Sequence, residues 1–228
     1  MLSVDPHTHS AASYDGRDEV ALLLKQAAIV GLDAIAVTDH DEIEASLEAV
    51  DRAGDHDLIA VPGMEVSSAD GHVLALGVEE LVPAERPFAE TVETIHDEGG
   101  IAVVPHPFQE ARSGVLANIS RDELAVADAI EVYNSRLLTG RSNRQARTFA
   151  ERRGLPKTGG SDAHICEMVG QAYTRVDAAE PTADAILDAI ADGRTAVEGK
   201  RTPWRISFRQ AASGVRRRVR HRVQQFRR

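Results

Sequence analysis

The 228-residue sequence predicts a parallel α/β barrel. Three observations lead there. Apolar runs of strand length alternate with segments whose apolar residues recur at helical spacing, the pattern of parallel strands covered by helices. About seven such strands follow one another regularly, which favours a barrel over an open sheet. Residues able to bind a metal or a phosphate fall just after these strands, where α/β barrels carry their functional groups. No GxGxxG or Walker-type stretch points instead to a nucleotide-binding open sheet.

In chain order, residues 2–5 read as the first strand. Residues 18–29 place Val20, Leu23, Leu24, Ala27 and Ala28 on one helical face, and Gly31 stops that helix. Residues 33–38 form a short apolar strand, and residues 42–52 a helix ended by Gly54. Residues 58–62 and 72–77 are strands, with Gly63, Met64 and Glu65 taken as the end of the earlier one. A helix over 88–97 closes at Gly99 and Gly100, and a strand over 101–104 runs into Pro105-His106-Pro107. A short helix over 121–127 precedes a strand over 129–133. The helix over 140–152 is followed by Gly154 and Pro156. Residues 157–160 and 171–176 are strands, 182–191 a helix and 195–198 the last strand.

With 43% hydrophobic residues the chain can bury a core within one domain, expected over 1–199, with an extension over 200–228. No apolar run approaches the ~20 residues that span a bilayer. There is no basic-then-apolar leader pattern. The single cysteine, Cys166, excludes an internal disulfide framework and reads as a buried, inert thiol. A cytoplasmic location is the expectation. Charge is unevenly spread: residues 201–228 hold ten arginines and no acid, leaving residues 1–200 at −20. Only Lys25, Lys157 and Lys200 are lysines. Such a surface suits a cytoplasm of high ionic strength; a GC-rich genome favouring arginine codons accounts for it equally.

The strand ends carry the chemistry. The first strand leads into Asp5, His7 and His9; histidines two apart on a strand share a face. Later strand ends carry Asp39 and His40, then Glu65, His106, Asn134, and finally Asp162 with His164. His56, His96 and His221 lie outside the set and read as structural or surface residues.

In this arrangement the chain resembles the PHP family, named for polymerase and histidinol phosphatase. The matching pieces are Asp-Pro-His-Thr-His-Ser at 5–10, Ser-Tyr-Asp-Gly at 13–16, Val-Thr-Asp-His at 37–40, Gly-Met-Glu at 63–65, Pro-His-Pro at 105–107, Glu-Val-Tyr-Asn at 131–134 and Gly-Ser-Asp-Ala-His at 160–164. The resemblance implies a distorted seven-stranded (β/α)7 barrel, with a short basic extension here, and hydrolysis of phosphate esters with two or three divalent ions. It implies that His7, His9, Glu65 and Asp162 hold one ion, and that Glu65 bridges to a second completed by His106 and His72. His40, His164 and Asp15 would hold a third. His72 and Asp15 match least well, since the family varies at both and His72 opens its strand rather than ending it. Asp5 and Asp39 are expected behind the ligands, orienting imidazoles.

Mixed imidazole and carboxylate ligands suit Zn, Mn or Fe. Such ions activate water and stabilise phosphoryl oxygens, so no serine or cysteine nucleophile is needed; no Gly-x-Ser-x-Gly elbow is present. His164 or His40 would protonate the leaving oxygen if the third ion is absent. Arg112, Arg136 and Asn134 are candidates for the substrate phosphate, with Arg17 a weaker one. The short span from Glu65 to His106 leaves no room for the cap of longer family members, so the mouth should be open. The substrate is then a small phosphorylated compound or an oligonucleotide end. A nuclease-like activity and a non-catalytic, metal-stabilised scaffold are the alternatives.

From residue 200 the character changes. Val215, Val219, Val223 and Phe226 form a stripe among arginines, a basic amphipathic helix if ordered. It could contact nucleic acid, an anionic membrane surface or the acidic body of its own chain, with Trp204 and Phe208 as anchors. The oligomeric state is not legible.

Overall fold

The computed structural model describes residues 1–109, 113–136 and 140–200. Arg112 and the whole expected tail helix, with Trp204 and Phe208, lie outside the described residues. Ten strands and five α-helices follow the order β1 (Leu2–Thr8), α1 (Val20–Val30), β2 (Ala34–Val37), α2 (Glu44–Ala53), β3 (Ile59–Ala60), β4 (Gly63–Ser68), β5 (Gly71–Leu76), α3 (Phe88–Asp97), β6 (Ile101–Val104), β7 (Ala129–Asn134), α4 (Gly140–Arg153), β8 (Lys157–Gly160), β9 (Ala172–Val176), α5 (Ala183–Ala191) and β10 (Thr195–Gly199). Most elements lie where periodicity and glycine stops place them. Gly31, at φ 78°, ends α1 by donating to the Ala27 and Ala28 carbonyls. Thr182 caps α5 through its hydroxyl, which accepts from Ala185 N at 3.2 Å. No helix among the described residues is long and apolar enough to cross a membrane.

The architecture is not the expected seven-stranded barrel. The strands form two mixed five-stranded sheets, ordered β10-β9-β1-β2-β3 and β4-β5-β6-β7-β8, and neither closes on itself. A (β/α)7 barrel needs every strand parallel, with a crossover between neighbours. Here β5 is antiparallel to both β4 and β6. Likewise β9 is antiparallel to both β1 and β10. The segment read as a strand end, Gly63-Met64-Glu65, is in fact the start of β4, which turns directly into β5 through Ala69 and Asp70. Such a hairpin needs no helix.

The sheets meet through isolated parallel bridges, His40 with Glu65 and Thr8 with Ala163. Both bridges lie among the metal-capable residues, so the polar mouth sits on the seams between sheets. Apolar packing supports it. One core cluster joins Met64, Val73, Val104 and Val132 to Phe88, Ile95 and Phe149. A second packs α1 and α2 on β2 through Leu23, Leu24, Ile35 and Ala49. A third gathers Val4 and Ala34 of one sheet and Leu74 and Val103 of the other against Ile186 and Ile190 of α5. Leu24 is fully buried. Leu24→Ala should lower stability by about 2–5 kcal/mol, read as a reduced urea midpoint with an unchanged slope.

Candidate metal centre

Six imidazoles and three carboxylates converge at the seams. His7 and His9 are carried by β1 and its extension, His40 follows β2, Glu65 lies in β4, His106 follows β6, and Asp162 and His164 follow β8. His72 is the informative case. It opens β5, and because β5 is antiparallel to β4 and β6 its start lies at the same mouth as their opposite ends. Asp15 comes from the loop after β1. His106 and Asp162 have φ of 33° and 50°, a left-handed conformation that non-glycine residues adopt at a cost.

Glu65 stands at the centre. Its Oε2 lies 3.3 Å from His7 Nε2, 3.2 Å from His9 Nε2 and 3.5 Å from His40 Nδ1. Its Oε1 lies 2.8 Å from His72 Nδ1 and 3.4 Å from His106 Nε2. His7 Nε2 and His9 Nε2 are 3.1 Å apart. Asp162 Oδ1 is 3.8 Å from His9 Nε2 and 3.1 Å from His164 Nδ1. Asp15 Oδ2 is 2.7 Å from His164 Nε2 and 3.8 Å from His40 Nε2. Donor atoms held ~2.0–2.2 Å from one ion stand roughly 3.0–3.5 Å from one another, so these edges fit ligand polyhedra. Several of these atoms also lack a hydrogen bond despite burial: His40 Nδ1, His72 Nδ1 and Glu65 Oε1. Close approach without hydrogen-bond geometry is what lone pairs aimed at a common cation produce. Three overlapping groups result: His7 with His9 and Glu65, His40 with Glu65 and His72, and His9 with Asp15, His40 and His164. His106 also groups with His7 and Asp162.

The electrostatics suit divalent cations. Burial opposes ionisation of Glu65, but His40, His72 and His7 outweigh it and hold the carboxyl well below its usual range. Burial likewise opposes ionisation of Asp162, and Arg136, His7 and His164 overcome it. Burial pushes His7 down, yet Glu131, Glu65 and Asp162 raise it well above an ordinary histidine. A buried imidazole drawn that far upward reports a surplus of negative potential.

Some expected roles fall elsewhere. Asp5 orients no imidazole: its carboxylate accepts from the backbone N–H of Ser161 at 3.0 Å and of Gly170 at 2.9 Å, and burial raises its pKa to about 6. Asp39 accepts from the N–H and hydroxyl of Ser10, fixing the loop after His9 rather than a ring. Asn134 is buried, and its amide donates to Glu131 at 3.0 Å and Asp162 at 3.1 Å, which leaves that amide engaged away from any phosphate. Arg136 does line the cavity, with Nη1 3.1 Å from Asp162 Oδ1 and 2.7 Å from His164 Nε2. Arg17 is an exposed residue beside Asp18. Cys166 is partly exposed rather than buried.

Two residues escaped the sequence reading. Glu131, inside β7, places Oε1 2.9 Å from His7 Nδ1 and accepts the His106 N–H on Oε2 at 3.0 Å. It performs the orienting task expected of Asp5. Gly160 makes this contact possible, since a Cβ there would sit 2.7 Å from His7 Cβ and 2.8 Å from Glu131 Oε1. Tyr14 stacks on His40 at 4.7 Å between ring centres and lines the mouth. Its position between Ser13 and Asp15 of a matching motif was the available signal.

Two outcomes are expected. Glu131→Gln should weaken metal binding by about 10–100-fold, measured by competition with a chromophoric chelator, while the metal-free protein keeps its circular dichroism. Burial, then Asp18 and Glu167, push the Cys166 thiol up to about 11. Its alkylation by iodoacetamide should therefore rise about tenfold per pH unit between pH 8 and 10, without a plateau.

Comparison with known proteins agrees with this geometry. Residues 140–195 match the family described as PHP-associated. An uncharacterised Methanocaldococcus jannaschii protein is 29% identical over 178 residues, covering 76% of this chain and 70% of its own length. The phosphoribosyl 1,2-cyclic phosphate 1,2-diphosphodiesterase of Eggerthella lenta is 41% identical over 89 residues, 35% of this chain and 32% of the enzyme. In fold, the chain is similar to a two-domain Bacteroides vulgatus protein containing a predicted PHP-like metal-dependent phosphoesterase, with a TM-score of 0.74 and 21% identity over 87% of this chain and 64% of that one. The chain thus spans less than two thirds of these last two proteins. Seven ordered motifs, the seam-built cluster of imidazoles and carboxylates and the match of residues 140–195 to the PHP-associated family together make the chain similar to PHP-family proteins.

Proposed function

We propose that this chain hydrolyses a phosphate ester by attack of water in the cavity over the seam. The observation that carries the reading is the convergence of His40, Glu65, His72, His106, Asp162, His164 and Arg136 on one polar cavity of about 230 Å³. His7, His9, Glu65 and Asp162 would hold one ion, Glu65 with His72 and His106 a second, and Asp15, His40 and His164 a third, each Zn, Mn or Fe by donor type. Bound ions would supply an acidified water and positive charge facing the phosphoryl oxygens.

The chain's own groups do the rest. Glu65 spaces the two imidazole sets through its two oxygens. Glu131 keeps His7 aligned through its Nδ1. Arg136, the one guanidinium among the described cavity-lining residues, donates to the non-bridging phosphoryl oxygens. With two ions bound, His164 is free to protonate the leaving oxygen, whereas burial pushes the pKa of the His40 imidazole down to about 3 and leaves it no proton to give near neutral pH. With three, both serve as ligands. Burial and Arg136 oppose the His164 imidazolium, while Asp15 and Asp162 favour it, and the balance lies above an ordinary histidine. The cavity admits a phosphoryl group and part of its alcohol. The span from β4 to β6 is taken up by the hairpin, α3 and short connections, which leaves the mouth uncapped there. Support for including diesters comes from the Eggerthella lenta relative, named for a cyclic phosphate.

The test is turnover of p-nitrophenyl phosphate and bis-p-nitrophenyl phosphate by chelator-stripped protein, before and after adding Mn²⁺ or Zn²⁺. Activity should depend on metal, and His7→Ala or Asp162→Ala should lower it on the order of 10³-fold, as for other losses of transition-state charge stabilisation. Full activity in stripped protein would overturn the reading. Metal that raises the melting temperature without any turnover would assign the site to a scaffold.

A further inference from the structure

A second cavity, of about 310 Å³, lies on the α4 side of the loop that carries His106. It is lined by Phe108, Phe149 and four arginines, Arg121, Arg144, Arg152 and Arg153. We infer that this groove binds single-stranded nucleic acid, with guanidinium groups on separate phosphates of the strand and the half-buried Phe108 ring beneath a base.

The charge distribution makes the groove exceptional. Residues 1–200 carry a net −20, yet α4 has five arginines and one acid, Glu151. Three of the other four helices are acidic: α2 carries Glu44, Glu48 and Asp51, α3 carries Glu90, Glu93 and Asp97, and α5 carries Asp184 and Asp188, while α1 has a single charge, Lys25. Exposed helical arginines commonly pair with acids one turn away. Among the described residues no carboxylate pairs with Arg144 or Arg152, whereas Arg153 is tied to Asp122 at 2.7 Å. Unpaired cations held together on an otherwise acidic body are an electrostatic footprint for a polyanion.

The geometry favours a strand over a lone anion. Arg144 and Arg152 are eight residues apart on one helix, about 12 Å along its axis, a separation of roughly two internucleotide steps, so they reach different phosphates of one strand and not the oxygens of a single anion. The floor is aromatic: Phe108 and Phe149 pack edge to face with centroids 6.1 Å apart, and the Arg153 guanidinium lies 5.6 Å from the Phe149 ring. Guanidinium groups beside an aromatic surface suit stacked bases as well as phosphates. Short segments link the groove to the first cavity. Phe108 is two residues from His106, and the Asn143 side chain of α4 bonds both the N–H and the carbonyl of Asn134, each at 3.1 Å, just before Arg136. A strand in the groove therefore points toward the catalytic mouth. That orientation rests on the phosphoesterase reading; binding does not.

The experiment is fluorescence anisotropy of a labelled twelve-nucleotide single strand with the full chain in EDTA, which removes hydrolysis and separates binding from catalysis. Arg144→Ala/Arg152→Ala should weaken binding at least about tenfold and lessen the slope of log affinity against log salt by about 1.4, at ~0.7 per lost phosphate contact. The control, Arg141→Ala/Arg147→Ala, removes the same charge from the same helix outside the groove and should change affinity less than about twofold. Equal effects of the two pairs, or none from the first, would overturn the inference by leaving only bulk charge or the basic tail. A nucleoside monophosphate competing as strongly as the oligonucleotide would overturn it in favour of a single-phosphate site.

Discussion

Glu65 is the group on which the rest of the site depends. It is 1% exposed, and an isolated carboxylate at that depth would not stay ionised. It does so because its two oxygens face separate sets of imidazoles, His7, His9 and His40 on one side and His72 and His106 on the other. Those rings are themselves buried (His7, His9, His106) or half-buried (His40, His72) polar groups that need partners, so the cluster is stable only as an ensemble. Glu131 adds a second layer of the same logic. One oxygen aligns His7, and the other holds the backbone N–H of His106, whose φ of 33° costs energy on the order of 1–3 kcal/mol. A residue that fixes one ring and stabilises another ring's strained backbone couples two strands through the site.

The fold answers to the same constraint. Ligands must approach the centre from several directions, and a strictly parallel barrel offers only strand ends of one sense. Reversing β5 brings the start of a strand to the mouth, and with it His72. This is why His72 looked misplaced in the sequence, where strand polarity cannot be seen. His7, His9, His40 and His106 were legible because each lies in or just after an apolar run, whereas Asp162 and His164 follow Lys-Thr-Gly-Gly and were legible from the Gly-Ser-Asp-Ala-His pattern. Glu131 was not, because it sits within the strand Ala-Ile-Glu-Val-Tyr-Asn, and which neighbour its face meets depends on β8 and β1. Asp5 misled for a local reason. It shares the odd-numbered phase of His7 and His9, but the β1 register shifts between Asp5 and Thr8, and that irregularity breaks simple alternation. The expected barrel failed on polarity rather than on the placement of strands. Apolar runs report where strands lie, not which direction they take within a sheet.

Charge placement has its own physical logic. An acidic body repels anionic substrates at long range, but salt screens that repulsion beyond ~8–10 Å. Inside that distance the sign is set by whichever side chains are nearest. Arg136 at the cavity wall and the arginines of α4 therefore set a positive sign at contact distance despite the −20 of residues 1–200. Raising salt weakens both effects, but unequally: the diffuse repulsion is lost first, and a guanidinium in direct contact with a partly desolvated phosphate is screened least. A body with this charge placement would direct anions to a few recessed positions. That selectivity follows from placing few cations where the backbone already forms a cavity, not from the number of cations.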